Sequence, residues 1–201
     1  MARLLLVEAN HRSSSASLRE RLFFEPADTA AVLERLRDGG LQAATALATC
    51  DRVQILAVGD DPDRAAEIIL DGLSSRSGVP RAELDPQCIR LDGHAALRHM
   101  FSVAASLESL IVGEPQVLGQ VRAGDRLARE VGMIDSTLDA VLSGAYRAAK
   151  RVRTETAVGE RPVSIAASAE RVARNVHGDL SESSALLVGG GEMGCLIADH
   201  L

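Results

Sequence analysis

The sequence predicts an α+β fold. It indicates a small, largely antiparallel sheet with helices, followed by a helical segment and the first strand, turn and helix of an incomplete second domain. Up to about residue 92, short apolar runs alternate with short amphipathic stretches, and no series of long crossovers indicates a parallel sheet. Beyond residue 92, apolar residues recur every three or four positions, which indicates helices. A first domain is expected at 1–156 and part of a second at 157–201.

Four short apolar runs predict the strands of the first domain. They lie at 4–7, 42–47, 53–58 and 89–91. The helices between them have start signals: Ser15 or Ser17 can cap the first, and Pro26 and Pro62 begin the next two. Gly39 follows the second helix and ends it, because glycine readily adopts the backbone conformation of a C-terminal cap.

The rest of the first domain is predicted to form three long helices. The first covers 94–112, is apolar on both flanks and ends at Gly113. Pro115 begins the second, and Asp135 or Ser136 caps the third. The outer side of the third helix carries four cations, Arg147, Lys150, Arg151 and Arg153. This side is either a solvated helix face or a contact for a phosphate backbone.

Composition argues against several classes of protein. Aromatic residues make up only 2% of the chain, so a platform of rings for stacking nucleic-acid bases is not expected. The net charge of −6 argues against binding of nucleic acid by overall charge. Cys50, Cys88 and Cys195 lack metal-ligand spacing, which predicts reduced thiols, no metal site and a cytoplasmic location. No apolar run approaches the length of a membrane span.

A polar quartet, Thr49-Cys50-Asp51-Arg52, lies between two predicted strands. A thiol at a strand end can be held by the sheet and still face a cleft. Arg52 would lower the pKa of that thiol or hold an anionic substrate, whereas Asp51 would raise the thiol pKa if it points at the sulfur. The alternative is a buried structural cysteine beside a surface ion pair.

A glycine-rich turn follows a predicted helix at 164–177 and a predicted strand at 185–188. It has the G-x-G-x-x-G spacing and consists of Gly189, Gly190, Gly191, Glu192, Met193 and Gly194. In this context the glycines let a pyrophosphate approach the backbone, and helix N-terminal amides hold it. A turn without a ligand is the alternative. Since the further strands of such a domain are missing from the 201 residues, this chain is expected to bind a dinucleotide poorly or not at all.

The break between the first two long helices is a polar corner with side chains suited to a ligand that carries an amine and a carboxylate. Around it, Ser-Leu-x-Ser and Gly-Glu-Pro-Gln-x-Leu-Gly-Gln-Val, within 106–121, strongly resemble the signature of the glutamyl-tRNA reductase family. Thr-Cys-x-Arg at 49–52, His-x-Phe at 99–101 and Gly-x-Gly-Glu-Met-Gly at 189–194 follow the family order. The resemblance therefore covers nearly the whole chain.

The resemblance implies an activity and the residues that perform it. The family reduces glutamyl-tRNA to glutamate-1-semialdehyde with NADPH, the first committed step of the five-carbon route to tetrapyrroles (porphyrins). Cys50 would be the nucleophile that releases the tRNA and keeps the glutamyl group as a thioester. His99 matches the family's activity-linked histidine, with a hydrogen-bonded core histidine as the alternative. The glutamate pocket would consist of Thr49, Asp51, Arg52, Ser109, Glu114, Pro115, Gln116 and Gln120.

Cofactor and partners are also implied by the resemblance. NADPH would bind at the glycine-rich turn, whose domain is only partly present. Arg52 would pair with the side-chain carboxylate of the substrate, and Glu114 would hold its ammonium group. Asn10 and His11 match a pair in the family and are expected to be structural. The family is homodimeric through a domain that is absent from the 201 residues, and glutamate-1-semialdehyde aminomutase is a further expected partner.

Asp51 departs from the family, which usually has Asn after the catalytic cysteine. An anion there would raise the thiol pKa and repel the substrate carboxylate unless Arg52 neutralises it. Three hypotheses follow. The chain acylates Cys50 without completing the reduction, it is a non-catalytic homologue that binds tRNA or a partner, or it is an ordinary nicotinamide dehydrogenase, as the glycine-rich turn alone would suggest.

Overall fold

The structure, a computed structural model, describes residues 3–159, 165–188 and 198 of the chain. These residues form one four-stranded sheet and eight α-helices. The strands are β1 (Arg3–Asn10), β2 (Ala43–Ala48), β3 (Arg52–Gly59) and β4 (Ile89–Asp92). The helices are α1 (Ala16–Leu22), α2 (Thr29–Asp38), α3 (Pro62–Ser77), α4 (Arg81–Leu84), α5 (Gly93–Ala104), α6 (Gln116–Glu130), α7 (Ser136–Glu155) and α8 (Ile165–His177).

The sheet has the strand order β2-β3-β1-β4, and each neighbouring pair is antiparallel. The predicted α+β class with an antiparallel sheet is therefore confirmed. In the register of β1 and β3, Glu8 lies opposite Gln54 and Asn10 lies opposite Arg52. Because side chains alternate between the faces of a strand, these four point to the same side of the sheet.

Each face of the sheet packs against helices. On one face, α1, α2 and α3 cover a core in which Leu33, Ile55 and Leu70 are fully buried. On the other face, α5 and α7 pack against Leu6 and Leu56. Burying each large aliphatic side chain contributes about 1.5–3 kcal/mol, so these two cores hold the sheet between its helices.

Helix α6 packs along the edge strand β2 and forms one wall of the site described below. The approach is close: a Cβ atom at Gly124 would lie 2.3 Å from the carbonyl oxygen of Ala46. A side chain cannot occupy that space, so glycine is needed there for the helix to reach the strand.

Most of the predicted helix starts are found in the structure. Ser15 caps α1 by accepting a hydrogen bond from the amide of Leu18 at 3.2 Å, and Asp135 caps α7 by accepting one from Leu138 at 2.7 Å. Pro62 is the first residue of α3. These agreements reflect local chemistry, since a cap needs only residues within one turn.

The single helix predicted over 94–112 is wrong. Helix α5 ends at Ala104, and residues 106–113 form a loop that closes where the amide of Gly113 donates to the carbonyl of Ser106 at 2.8 Å. Ser106 has a left-handed φ of 59° and donates from its hydroxyl to the carbonyl of Glu114 at 2.7 Å. A residue with a left-handed backbone cannot continue a right-handed helix, so α5 cannot extend through Ser106. Leu110, predicted to be on an apolar flank, is 67% exposed.

The strand predicted at 185–188 is also not formed. Residues 183–188 have no regular secondary structure, and the four described strands pair only with one another. A strand requires hydrogen bonds from a neighbour, so an apolar run alone does not produce one. The glycine-rich turn at 189–194 lies outside the described residues.

Candidate active site

A cavity of about 840 Å³ opens beside the turn between β2 and β3. Its walls come from α1 and the segment that follows it, from β2 and the turn, from the end of the 106–113 loop, and from α6. Its volume is within the range of about 300–1,000 Å³ that is usual for small-molecule sites. The predicted site residues in its lining are Thr49, Cys50, Asp51, Arg52, Ser109, Glu114, Gln116 and Gln120. The structure therefore brings together residues that are far apart in sequence.

Two predicted site residues, His99 and Pro115, are not among the lining residues. Pro115 is the N-cap residue of α6, where its ring fixes the backbone at the start of the helix. His99 lies on α5, and its ring Nε2 contacts a carboxylate oxygen of Glu8 on β1. Its side chain is only 13% exposed, so it has the hydrogen-bonded, partly buried setting of the alternative interpretation.

The turn that carries the thiol is held by its own threonine. The amide of Thr49 donates to the carbonyl of Arg52 at 2.8 Å, and the Thr49 hydroxyl accepts from the amides of Asp51 and Arg52 at 3.2 Å each. This pattern satisfies the backbone at the end of the hairpin without involving Cys50. The Cys50 side chain is exposed at the cavity, which excludes the alternative of a buried structural cysteine.

The surroundings of Cys50 raise its pKa. Partial burial against the cavity walls is the largest cause, followed by the negative charges of Glu114 and then Asp51, while Arg19 acts in the opposite direction. Burial and the charge of Asp51 also raise the pKa of Glu114. Thiolate, Glu114 and Asp51 therefore repel one another, and a cation bound among them would relieve that repulsion.

Arg52 lies beneath the turn, with its residue only 1% exposed. Its Nη1 is 3.0 Å from Oε1 of Glu8, and its Nη2 is 3.3 Å from Oδ2 of Asp51 and also donates to the carbonyl of Glu108. Asp51 and the carbonyl of Glu108 take the two N–H donors of Nη2, whereas Nη1 pairs with Glu8 by charge without forming a hydrogen bond. Donors of the guanidinium therefore remain for an anion in the cavity, which Arg52 lines.

Asp51 joins three parts of the chain. Its Oδ1 is 2.6 Å from Nδ1 of His11, and its Oδ2 accepts from the amide of Leu110 at 3.2 Å as well as facing Arg52. The His11 amide also donates to the Asp51 carbonyl at 3.1 Å. His11 thus contacts Asp51 through both its ring and its backbone, and Asp51 links the thiol turn to the 106–113 loop.

The polar corner is fixed through the backbone of Glu114. Its carbonyl accepts from Ser106 and, at 3.0 Å, from Nη2 of Arg153 on α7. Arg153 was predicted to lie on an exposed basic face, but it is partly buried, and its neighbour Arg151 pairs with Glu155 at 2.9 Å. The four predicted cations therefore do not form one free patch.

Some residues of the cavity were missed by sequence reasoning. One wall contains Arg19, Phe23 and Thr29, and α6 adds Ala123 and Leu127. No motif marks them, because they belong to the site only through the packing of α1, α2 and α6 around β2. Glu8 was also missed, although a carboxylate at the end of an apolar strand was a visible signal.

Cys88 is half-buried against the first core, and burial raises its pKa to about 12, as expected of a packing residue. In the described part of the chain, no group of three or more His, Cys, Asp or Glu could hold a metal ion. Among the same residues, no helix combines the length and apolarity needed to cross a bilayer.

The family model and the most similar relatives that were compared all point to one family. The family model described as glutamyl-tRNAGlu reductase, N-terminal domain, matches residues 7–156. The glutamyl-tRNA reductase of Rhodospirillum rubrum is 44% identical over 197 residues, which make up 98% of this chain and 46% of that protein. That of Pseudomonas putida is 38% identical over 198 residues, with the same coverage of 98% and 46%.

Solved structures give the same result. The glutamyl-tRNA reductase from Methanopyrus kandleri matches with a TM-score of 0.70 and 32% identity, over 98% of this chain and 46% of that one. The chain therefore spans about half the length of the relatives it matches.

Proposed function

Because the chain belongs to the glutamyl-tRNA reductase family, whose N-terminal domain model matches three quarters of it, we propose that Cys50 accepts the glutamyl group of glutamyl-tRNA. The observation that carries this proposal is that the exposed Cys50 lines one cavity together with residues of the polar corner. The complete reduction that full-length members of the family perform is proposed for this chain from family membership alone.

The proposed step is an acyl transfer from oxygen to sulfur. The Cys50 thiolate attacks the ester carbonyl carbon, an S–C bond forms, and the C–O bond to the terminal ribose breaks. The proton lost by the thiol ends on the departing ribose oxygen, and the glutamyl group remains as a thioester. No oxidant or reductant is needed for this half of the reaction.

The substrate's two charged groups match the charges of the cavity. The ammonium group would lie among Glu114, Asp51 and the sulfur, where it relieves their mutual repulsion. The side-chain carboxylate would take the remaining donors of Arg52. Ser109 supports the polar contacts, because its hydroxyl is buried and has no hydrogen-bond partner among the described residues. The remaining proposed contacts are Thr49, Gln116 and Gln120, and Pro115 would support them by fixing the start of α6.

The cavity is larger than a glutamyl group requires. Beyond the polar end, its lining becomes largely apolar, with Phe23, Pro26, Ala123 and Leu127. The ester attacked by Cys50 joins the glutamyl group to the terminal ribose, so the terminal nucleoside must lie next to the thiol. We propose that this arm of the cavity receives it.

The later steps rest on family membership alone. Reduction of the thioester to glutamate-1-semialdehyde by hydride from NADPH, in a cytoplasmic tetrapyrrole pathway, would complete the reaction. The glycine-rich turn proposed for NADPH, the domain boundary near residue 156, the homodimer and the aminomutase partner remain proposals. His99, proposed as a residue of the reaction, would act through Glu8.

Labelled glutamate on tRNA tests the acylation. Incubation with this chain should leave label on the protein, removable by hydroxylamine as a thioester is, and Cys50→Ala should abolish it. Cys88→Ala is the matched control, because that thiol has a pKa of about 12 and lies outside the cavity lining. Absence of Cys50-dependent label or ester hydrolysis would refute the proposal.

A second candidate function, a homologue that binds glutamyl-tRNA without reacting, is favoured by the raised pKa of Cys50. Asp51→Asn separates the two. If the variant is acylated well over tenfold faster than the wild type, Asp51 suppresses the reaction in the natural site. A change of only a few-fold in the acylation rate fits a working nucleophile.

A further inference from the structure

Glu8 connects two residues that sequence reasoning linked to the reaction. It is 0% exposed and lies at the end of β1 where the apolar face of the strand becomes polar. One carboxylate oxygen is 3.0 Å from Nη1 of Arg52, and the other contacts Nε2 of His99. A single buried carboxylate therefore joins β1, β3 and α5.

A chain of polar side-chain contacts runs through Glu8. It continues from His99 through Glu8 and Arg52 to Asp51, and from there to His11 at 2.6 Å. Cys50 is next to Asp51, so the turn that carries the thiol is at one end of this chain. The side chains in it are at most 17% exposed, and buried polar groups hold a fixed geometry when each has its partner.

We propose that Glu8 is a positioning residue that orients the Arg52 guanidinium toward the carboxylate of the bound substrate, with His99 fixing Glu8 from behind. The proposal rests on the proposed function, because it takes Arg52 as the contact for that carboxylate. It assigns Glu8 no contact with the reacting atoms. It also gives His99, which does not line the cavity, an indirect role in the proposed reaction.

Glu8 sets the orientation of the Arg52 guanidinium through the side from which it approaches. The Arg52 guanidinium faces Asp51 and the carbonyl of Glu108 with Nη2, and it pairs with Glu8 through Nη1. Without that carboxylate, Nη1 has lost its ionic partner, and the guanidinium can rotate toward Asp51. The donors left for a ligand would then no longer point into the cavity.

Glu8→Gln tests this with two tRNA substrates, one tRNA charged either with glutamate or with glutamine. The wild-type chain should acylate Cys50 with glutamate in strong preference to glutamine. The variant should lose at least tenfold of this preference, mainly through a higher KM for glutamyl-tRNA. Alkylation of Cys50 by iodoacetamide should stay within twofold, because the turn remains intact.

Glu108→Gln is the matched control. Its side chain pairs with Arg12 at 2.7 Å, and only its backbone carbonyl contacts Arg52. The same loss of a carboxylate there should leave the preference unchanged. A folded Glu8→Gln chain that keeps the wild-type preference overturns the inference, whereas a wild-type chain that is never acylated overturns the proposed function instead.

A double variant tests the role of Glu8 if the Glu8→Gln chain does not fold. Gln54 lies directly opposite Glu8 on β3 and faces α5 in the same way, since its Nε2 is 3.4 Å from the sulfur of Met100. Directly opposite residues have Cβ atoms about 5 Å apart. Glu8→Gln with Gln54→Glu therefore keeps one carboxylate in place, and it should recover most of the preference. A folded double variant without that preference would contradict the proposal.

Discussion

At the scale of single residues, the charge of Asp51 has two effects that oppose each other. It raises the pKa of Cys50 and so lowers the fraction of thiolate. It also holds the thiol turn against His11 and the amide of Leu110. A neutral amide of the same shape keeps the second effect in part and removes the first.

We therefore predict that Asp51→Asn shifts the pH profile of Cys50 alkylation to lower pH. Below the thiol pKa, the rate rises with pH as thiolate forms, so a lower pKa gives a faster reaction at pH 7. Part of the gain is offset because a less basic thiolate is a weaker nucleophile, which leaves about threefold per pKa unit. Iodoacetamide kinetics between pH 6 and 10 measure this.

Glu25→Gln is the control for that experiment. Glu25 also lines the cavity, but it is not among the causes of the raised thiol pKa. Its profile should coincide with that of the wild type. Coincidence of all three profiles would show that Asp51 does not act on the thiol.

At the scale of elements, the site depends on how closely α6 approaches β2. The helix carries Gln116 and Gln120 at one end and forms the apolar wall with Ala123 and Leu127. Gly124 allows that approach, because the carbonyl of Ala46 occupies the space that a side chain would need. The position of this wall is thus set by one missing Cβ.

We predict that Gly124→Ala lowers the free energy of unfolding by about 1–3 kcal/mol, through the backbone shift that the contact forces. Gly119→Ala, in the same helix, is the matched control. No atom lies within 4 Å of its added Cβ, so that variant should be unchanged or more stable by up to about 1 kcal/mol through helix propensity. Urea denaturation of both variants compares them, and equal stabilities would refute the packing argument.

At the scale of the whole molecule, the cavity exists only because four separate parts of the fold meet at the thiol turn. The polar end is made by the turn and the 106–113 loop, and the apolar arm by α6 and the segments around α1 and α2. Such a division suits a substrate with a charged amino acid at one end and a nucleoside next to it.

We predict that Ala123→Leu, which fills the arm, lowers acylation by glutamyl-tRNA at least tenfold while iodoacetamide reacts normally with Cys50. Ala148→Leu provides the comparison, since Ala148 lines a separate apolar groove on α5 and α7. That variant should acylate at the wild-type rate. If the two variants acylate equally well, the nucleoside does not occupy the arm.

The sequence by itself determined the fold class, most strand and helix positions, and the motifs that identify the family. Periodicity and capping depend on neighbours within a few positions, so they can be read from residue order. Ser106 shows the limit of that local information: its left-handed backbone ends α5 well before the apolar periodicity does.

Only the tertiary structure decided which of these residues share a site. Glu8 and His99 are 91 positions apart, and they meet because α5 packs against β1 on the face of the sheet to which Glu8 points. Arg153 was predicted to be a surface cation, but the packing of α7 lets it donate a hydrogen bond to the carbonyl of Glu114. Contacts of this kind depend on strand register and helix packing, which no short stretch of sequence encodes.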